Sequence, residues 1–95
     1  MADTIKVLAS EVTINTSPNT ISSATLVRLV NTSDSPNDVL ITVKDSGGTT
    51  KGTFTLGHDG TGFATLNLMK LATDTIQANT ANATVVTKAV SIAFT

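Results

Sequence analysis

The residues with the most obvious chemical potential lie between positions 45 and 63, in the stretch DSGGTTKGTFTLGHDGTGF. All six glycines of the chain fall there, together with its one histidine, His58, which Asp59 follows directly. A histidine beside a carboxylate could act as the base of a small hydrolase. Neighbouring residues, however, point to opposite faces of a strand and seldom form a dyad. Because glycines flank the pair on both sides, we interpret GHDG as a solvated turn.

Two further patterns could bind ions. A phosphate-binding loop needs GxxxxGK[ST] followed by a helix, whereas in GGTTKG the lysine precedes the last glycine and a strand pattern follows. In TSDSPND, Asp34 and Asp38 lie near two asparagines, and such oxygen ligands can hold calcium. The segment lacks the glycine and glutamate of a helix–loop–helix calcium site. We therefore predict no metal site and no cofactor, and leave open whether calcium binds near Asp34 and Asp38.

The remaining charged residues suggest structural roles. Arg28 lies on an apolar strand pattern and is expected to reach the rim or to pair with Glu11 or an aspartate. Lys70 and Asp74 flank a predicted corner between strands and are interpreted as an exposed rim. Together these side chains form no recognisable acid–base or nucleophilic set. We therefore predict no catalytic residues and no enzymatic activity.

Composition limits the partners. The 95 residues carry six basic and seven acidic side chains, so no basic patch is available for nucleic acid. The absence of cysteine excludes disulfides and thiolate metal sites. The start MADTIKVLAS has no basic stretch followed by a long apolar run, so no signal peptide is expected. No apolar run approaches the length needed to cross a membrane, so no membrane partner is expected either.

The elements that must position these residues are strands. Nineteen threonines, nine valines and six isoleucines make about a third of the chain β-branched, which favours sheets over helices. Short alternating segments separated by polar turns, at intervals of roughly 8–12 residues, are typical of a sandwich or barrel. We predict one all-β domain over residues 1–95, with seven or eight short antiparallel strands.

Individual strands follow from alternation. Residues 24–31 are apolar on both faces, which predicts a central strand, and residues 39–44 and 51–56 form a hairpin around DSGG. We interpret residues 63–72 as a strand rather than a short helix, although Phe63, Leu66 and Met69 recur every three residues. A bulge is predicted near Lys88. The residues predicted to be interior are Val27, Leu29, Ile41 and Phe54.

Four pieces of the sequence from Thr25 onward stand out together: a turn at Asn31–Ser33, a hairpin turn at Asp45–Gly48, Lys70 with Thr73–Thr75, and the alternating end Ala89–Phe94. In these pieces the sequence resembles small virion proteins of tailed bacteriophages. The resemblance implies an immunoglobulin-like antiparallel β-sandwich on the capsid surface of a virion, and it carries no catalytic residues. It also implies a non-enzymatic role, in which the protein decorates or cements the capsid by binding across subunits of the major capsid protein.

The segment predicted to dock is the N-terminal strand or arm, residues 1–14. It alternates apolar and polar residues and can add to a partner's sheet by β-augmentation. The proposed contacts are Ile5, Val7, Val12 and Ile14. The sequence does not decide between a monomer and a homo-oligomer such as a trimer. The alternative function is a tail or head-fibre module that binds host-surface glycans, although the absence of tyrosine and tryptophan counts against it.

Overall fold

A computed structural model describes residues 4–34, 37–58, 60–62, 64–80 and 86–94. Within these residues the chain forms strands and turns and no helix, as the β-branched composition predicts. The strands are β1 (Ile5–Val7), β2 (Val12–Ile14), β3 (Leu26–Asn31), β4 (Val39–Lys44), β5 (Thr50–Leu56), β6 (Thr65–Met69), β7 (Thr75–Ala78) and β8 (Thr87–Phe94).

The strands form two antiparallel sheets. In the first, β8 pairs with both β1 and β2 on one side and with β3 on the other, and β3 pairs with β6. In the second, β4 lies between β5 and β7. The predicted all-β, two-layer fold is thus confirmed, whereas its immunoglobulin-like character stays a prediction.

The core lies between the sheets and comes from alternation along the strands. In β3 every second residue is buried, and Val27 and Leu29 are fully enclosed. Both edges of β3 are paired, which confirms the predicted central strand. Residues 65–69 form a strand rather than a helix, with Leu66 and Leu68 packed against the core. Among the residues predicted to be interior, Ile41 is buried as expected, whereas Phe54 is only half-buried.

The N-terminal strands reach β8 with different offsets. Val7 pairs with Ile92, and Val12 pairs with Ala89. The N-terminal segment therefore has more residues between Val7 and Val12 than β8 has between Ala89 and Ile92. The pairing of β8 with β3 is unbroken past Lys88. The bulge predicted near Lys88 is therefore wrong, because the irregularity lies in the segment that joins β1 to β2.

The loop after β2 crosses from the first sheet to the second. Asn15 accepts a hydrogen bond from the backbone N–H of Ala78 at 2.8 Å, and Asn19 accepts one from Ile76 at 2.9 Å. The outer edge of β7 is therefore bonded by this loop. Ile21, which follows, has φ of 55° and is buried in the core. A β-branched residue in the left-handed region is strained, and its burial offsets that cost.

The turn after β3 is fixed by a buried side chain. Asn31 donates from Nδ2 to the carbonyl oxygens of Asn37 (3.0 Å) and Leu56 (3.3 Å), and its Oδ1 accepts from the N–H of Ser33 (2.9 Å). This asparagine links the ends of β3 and β5 to the chain that enters β4. The NTS pattern therefore has a structural explanation, since the buried amide satisfies three backbone groups.

Candidate functional site

The open edges of the sheets are the sites at which this fold can meet another chain. In the described part of the structure, β1, β2, β5 and β6 each pair with a strand on one side only. Unpaired backbone N–H and C=O groups along such an edge can accept a strand from another protein. The structure therefore offers open edges on both sides of the two-layer fold.

The N-terminal edge carries two of the predicted docking residues. The N–H of Leu8 donates to the carbonyl of Ser91 at 2.9 Å, so Leu8 faces β8. Because successive residues of an antiparallel strand bond to alternate sides, the backbone groups of Ile5 and Val7 point to the open edge. The side chains of Val7 and Leu8 are 61% and 55% exposed.

The other two predicted docking residues lie closer to the interior. Val12 is half-buried and packs against the core, and Ile14 is only 3% exposed within it. The Ile14 side chain contributes to the protein's own core, and its predicted contact with a partner stays a prediction. The docking role of Ile5, Val7 and Val12 stays a prediction, and residues 1–3 of the predicted segment lie outside the described residues.

The backbone of β5 also faces outward. Leu40 accepts a hydrogen bond from the N–H of Asn79 at 3.0 Å, so Leu40 faces β7. By alternation Val43 faces β5, where Gly52 lies opposite. The next residue, Thr53, consequently directs its N–H and C=O away from β4, and Thr55 shares this orientation.

An open groove of about 770 Å³ lies between β5 and the first sheet. In the second sheet β5 and β7 are the two opposite edges, and β2 packs beside β7. The groove beside β5 therefore lies on the side of the fold away from β2 and β7. The lining residues are Thr25, Leu26, Val43, Lys51, Gly52, Thr53, Phe54, Met69, Lys70, Leu71 and Asp74. Met69 and Leu71 are 83% and 63% exposed, so the groove has an apolar rim.

Gly52 forms a notch in this groove. It shares the inward face of β5 with Phe54 and Leu56, where a larger side chain would normally add to the core. A Cβ built on Gly52 would meet no atom within 4 Å. The missing side chain therefore leaves space that an apolar group from outside can fill.

A bulge places a cation beside the notch. The register of β5 against β4 shifts between Val43 and Lys44, which makes Lys51 the extra residue. Its Nζ lies 3.0 Å from Oδ2 of Asp74, and the side chains of Lys51 and Asp74 are 46% and 3% exposed. The carboxylate also accepts a hydrogen bond from the N–H of Leu71 at 3.0 Å. The hydrogen bonds from Lys51 and Leu71 lower the pKa of Asp74.

Lys70 lies beneath this ion pair. Its Nζ donates to the carbonyl oxygens of Asp74 at 2.9 Å and Leu71 at 3.2 Å, which fixes the crossover from β6 to β7. Burial lowers the pKa of Lys70, and the nearby Asp74 carboxylate partly opposes that shift. Lys70 and Asp74 are 6% and 2% exposed, so their interpretation as an exposed rim is wrong. The sequence around Lys70 gives no signal that its side chain is buried, since its neighbours Met69 and Leu71 are exposed.

His58 contacts a carboxylate distant in sequence. Its Nδ1 lies 2.8 Å from Oδ1 of Asp38, and its backbone N–H donates to the same oxygen at 2.9 Å. These contacts lower the pKa of Asp38, the backbone hydrogen bond most strongly. Asp59, the partner considered in the hydrolase hypothesis, lies outside the described residues. The His58–Asp38 pair links the loop before β4 to the loop after β5.

The structure places the two candidate calcium ligands differently. Asp38 already uses Oδ1 for His58, while Asp34 is exposed. Within the described ranges no three histidine, cysteine, aspartate or glutamate side chains gather around a common point. Arg28 is half-buried on β3, and no described acidic side chain forms an ion pair with it. The expected pairing of Arg28 is therefore not seen in this part of the chain.

Comparisons with protein-family models, curated proteins and solved structures gave no significant match. Among the described residues no helix is long and apolar enough to cross a membrane. The arrangement that remains for function is a set of open strand edges, with β1 on one side of the fold and β5 on the other. The β5 edge is accompanied by a notch and a partly exposed lysine.

Proposed function

We propose that this protein is a non-enzymatic structural component of a tailed-phage virion, bound on the capsid surface across subunits of the major capsid protein. The observation that carries the proposal is the open N-terminal edge. There the backbone groups of Ile5 and Val7 point outward, beside the exposed side chains of Val7 and Leu8. Exposed apolar side chains next to an unpaired strand edge are typical of protein–protein contact.

The mode of binding follows from this edge. A strand of the capsid protein adds alongside β1, and main-chain hydrogen bonds to Ile5 and Val7 supply affinity. The exposed Val7 side chain adds apolar contact. The all-β, two-sheet fold is compatible with the immunoglobulin-like sandwich that the resemblance to phage virion proteins implies. Each contact can be modest, because many simultaneous contacts on a shell act together through effective concentration.

Purified particles of the phage that encodes this chain test the location directly. Mass spectrometry should find the protein in intact particles, and a particle reconstruction should place its density on the capsid. Absence from particles would refute the proposal. Density confined to the tail would replace it with the fibre module that binds host-surface glycans.

A substitution at the N-terminal edge tests the contact. Val7→Asp places a carboxylate where an apolar contact is expected, and co-sedimentation with undecorated capsids should weaken by about tenfold or more. Leu40→Asp is the matched control, because Leu40 is also exposed, at 40%, but lies on the second sheet. Equal binding of both variants would contradict the N-terminal assignment.

A further inference from the structure

We propose that β5 is a second docking edge, which binds an extended segment of a partner protein that carries an apolar side chain close to a carboxylate. This inference rests on the proposed function and deepens it. β2 packs beside β7, whereas β5 is the far edge of the second sheet. The two docking edges therefore lie on opposite sides of the domain, so one copy can join two partner segments.

The backbone of β5 supplies the first part of the argument. Thr53 and Thr55 direct their N–H and C=O groups away from β4, and β5 pairs with no other strand in the described residues. These groups are spaced along an extended chain, as a partner strand requires. A compact small molecule could satisfy few of them, whereas an added strand satisfies them in sequence. The edge therefore favours an extended peptide segment as its occupant.

The notch at Gly52 supplies the second part. Gly52 lies on the inward face of β5 but has open space where its Cβ would be. A strand added to the edge directs alternate side chains towards the groove. One of them can enter the space beside Phe54 and Val43, which both line the groove. Burial of an apolar side chain there removes apolar surface from water on both partners.

The charges of the groove supply the third part. Its charged lining residues are two cations, Lys51 and Lys70, and one anion, Asp74. Lys70 and Asp74 are buried and hydrogen-bonded, whereas the Lys51 side chain is 46% exposed. The three groups together carry one surplus positive charge, and the Lys51 ammonium, which is paired with Asp74, is the part of this cluster that a segment entering the groove can reach. A carboxylate on the segment complements this charge, and a lysine is repelled.

The test uses the isolated protein and three synthetic peptides. Each has about ten residues that alternate valine and threonine, with glutamate, glutamine or lysine at one central position. Methyl groups on alternate backbone nitrogens prevent the peptides from pairing with each other. Amide chemical shifts of the ¹⁵N-labelled protein should move most at Gly52, Thr53 and Thr55. The glutamate peptide should bind about two- to fivefold more tightly than the lysine peptide, as expected for a partly exposed charge pair.

Two variants of β5 separate backbone pairing from side-chain effects. Thr53→Pro removes the outward N–H on an edge strand, where proline is tolerated, and should abolish the shifts. Thr53→Ala keeps that N–H and should bind like the wild type. Gly52→Val fills the notch and should also abolish binding, while thermal melting checks that both Gly52→Val and Thr53→Pro remain folded.

Three results with the wild-type protein would each overturn the proposal. They are absence of binding, shifts centred on β1 instead of β5, and equal binding of the glutamate and lysine peptides. Retained binding in Thr53→Pro or Gly52→Val would overturn it as well. None of these results depends on where the protein is found, so a failure of this inference is distinguishable from absence of the protein from virions.

Discussion

The hydroxyl of Thr87 is a buried polar group that no described residue satisfies. Thr87 is 1% exposed on β8, and its Oγ1 has no hydrogen-bond partner among the described residues. Burying an unpaired hydroxyl costs free energy that a methyl group of the same shape does not. Thr87→Val should therefore raise the free energy of unfolding by about 1 kcal/mol in urea titrations.

The matched control for Thr87→Val is an exposed threonine. Thr65 lies on β6 and is exposed, so Thr65→Val should change stability by less than about 0.5 kcal/mol. A loss of stability in Thr87→Val would show that the hydroxyl has a partner. An equal gain in both variants would instead reflect β propensity rather than burial.

Asp74 makes stability depend on pH in the acid range. Its pKa in the folded protein is lowered by hydrogen bonds from Lys51 and Leu71. A carboxylate whose pKa is lowered by folding contributes stability above its unfolded pKa, near 4, and that contribution is lost as the pH falls through the folded pKa. Asp74→Asn should therefore lower the urea midpoint at pH 7, and the difference from wild type should shrink below about pH 4.

An exposed carboxylate provides the comparison for the Asp74 experiment. Asp34 is exposed before β4, so Asp34→Asn should leave the urea midpoint at pH 7 close to the wild-type value. A difference between wild type and Asp74→Asn that stays constant from pH 7 down to about pH 2 would contradict the electrostatic explanation. It would instead assign the effect to packing of the side chain.

At the scale of the elements, the open edges should be visible in amide hydrogen exchange. In β5 the N–H of Phe54 faces β4, whereas that of Thr53 faces the open edge. The amide of Thr53 should therefore exchange much faster than that of Phe54, although both lie in the middle of one strand. Residue-resolved exchange measured by NMR checks this. Equal protection of the two amides would show that the assigned edge is covered.

The central strand should dominate stability. Leu29 lies in the middle of β3 and is fully buried, so Leu29→Ala should lower the free energy of unfolding by about 2–5 kcal/mol. Leu71→Ala removes the same atoms from a side chain that is 63% exposed and should cost about 0.5 kcal/mol or less. Chemical denaturation of both variants gives the comparison. Similar losses would contradict the assignment of the core.

Much of the element content could be predicted from local alternation. The central position of β3 follows from its two apolar faces, and the strand at residues 65–69 follows from a period of two, which reports directly on the faces of a sheet. The hairpin of β4 and β5 follows from the turn residues between them. These features depend on neighbours in sequence, so one sequence contains the information needed.

The parts that could not be predicted depend on contacts between distant residues. Asp74 is buried because Lys51, from another strand, reaches it through a bulge. His58 contacts Asp38 because two loops meet at one end of the sheets. Gly52 lies within the strand predicted at residues 51–56, but the notch that it opens depends on the distant elements around it. Alternation says nothing about which elements approach each other.

At the scale of the whole molecule, the loop after β2 determines which edges remain open. Asn15 and Asn19 bond the outer edge of β7, so that side of the second sheet is already paired. The open edges that remain include β1 on one side and β5 on the other. Under the proposed function, docking edges on opposite sides would hold two neighbouring capsid subunits together, which is what stabilising a shell requires.

Under the proposed function, the arrangement of the two edges predicts that binding to a capsid shell and stabilising that shell can be separated. Wild-type protein should bind undecorated capsids and raise their melting temperature, since both edges must be released before subunits separate. Val7→Asp and Gly52→Val each leave one edge intact. These variants should bind about 100-fold more weakly and, at saturating concentration, should occupy the shell without raising its melting temperature. The double variant should not bind. Single-edge variants that stabilise the shell as fully as wild type at equal occupancy would show that one edge suffices.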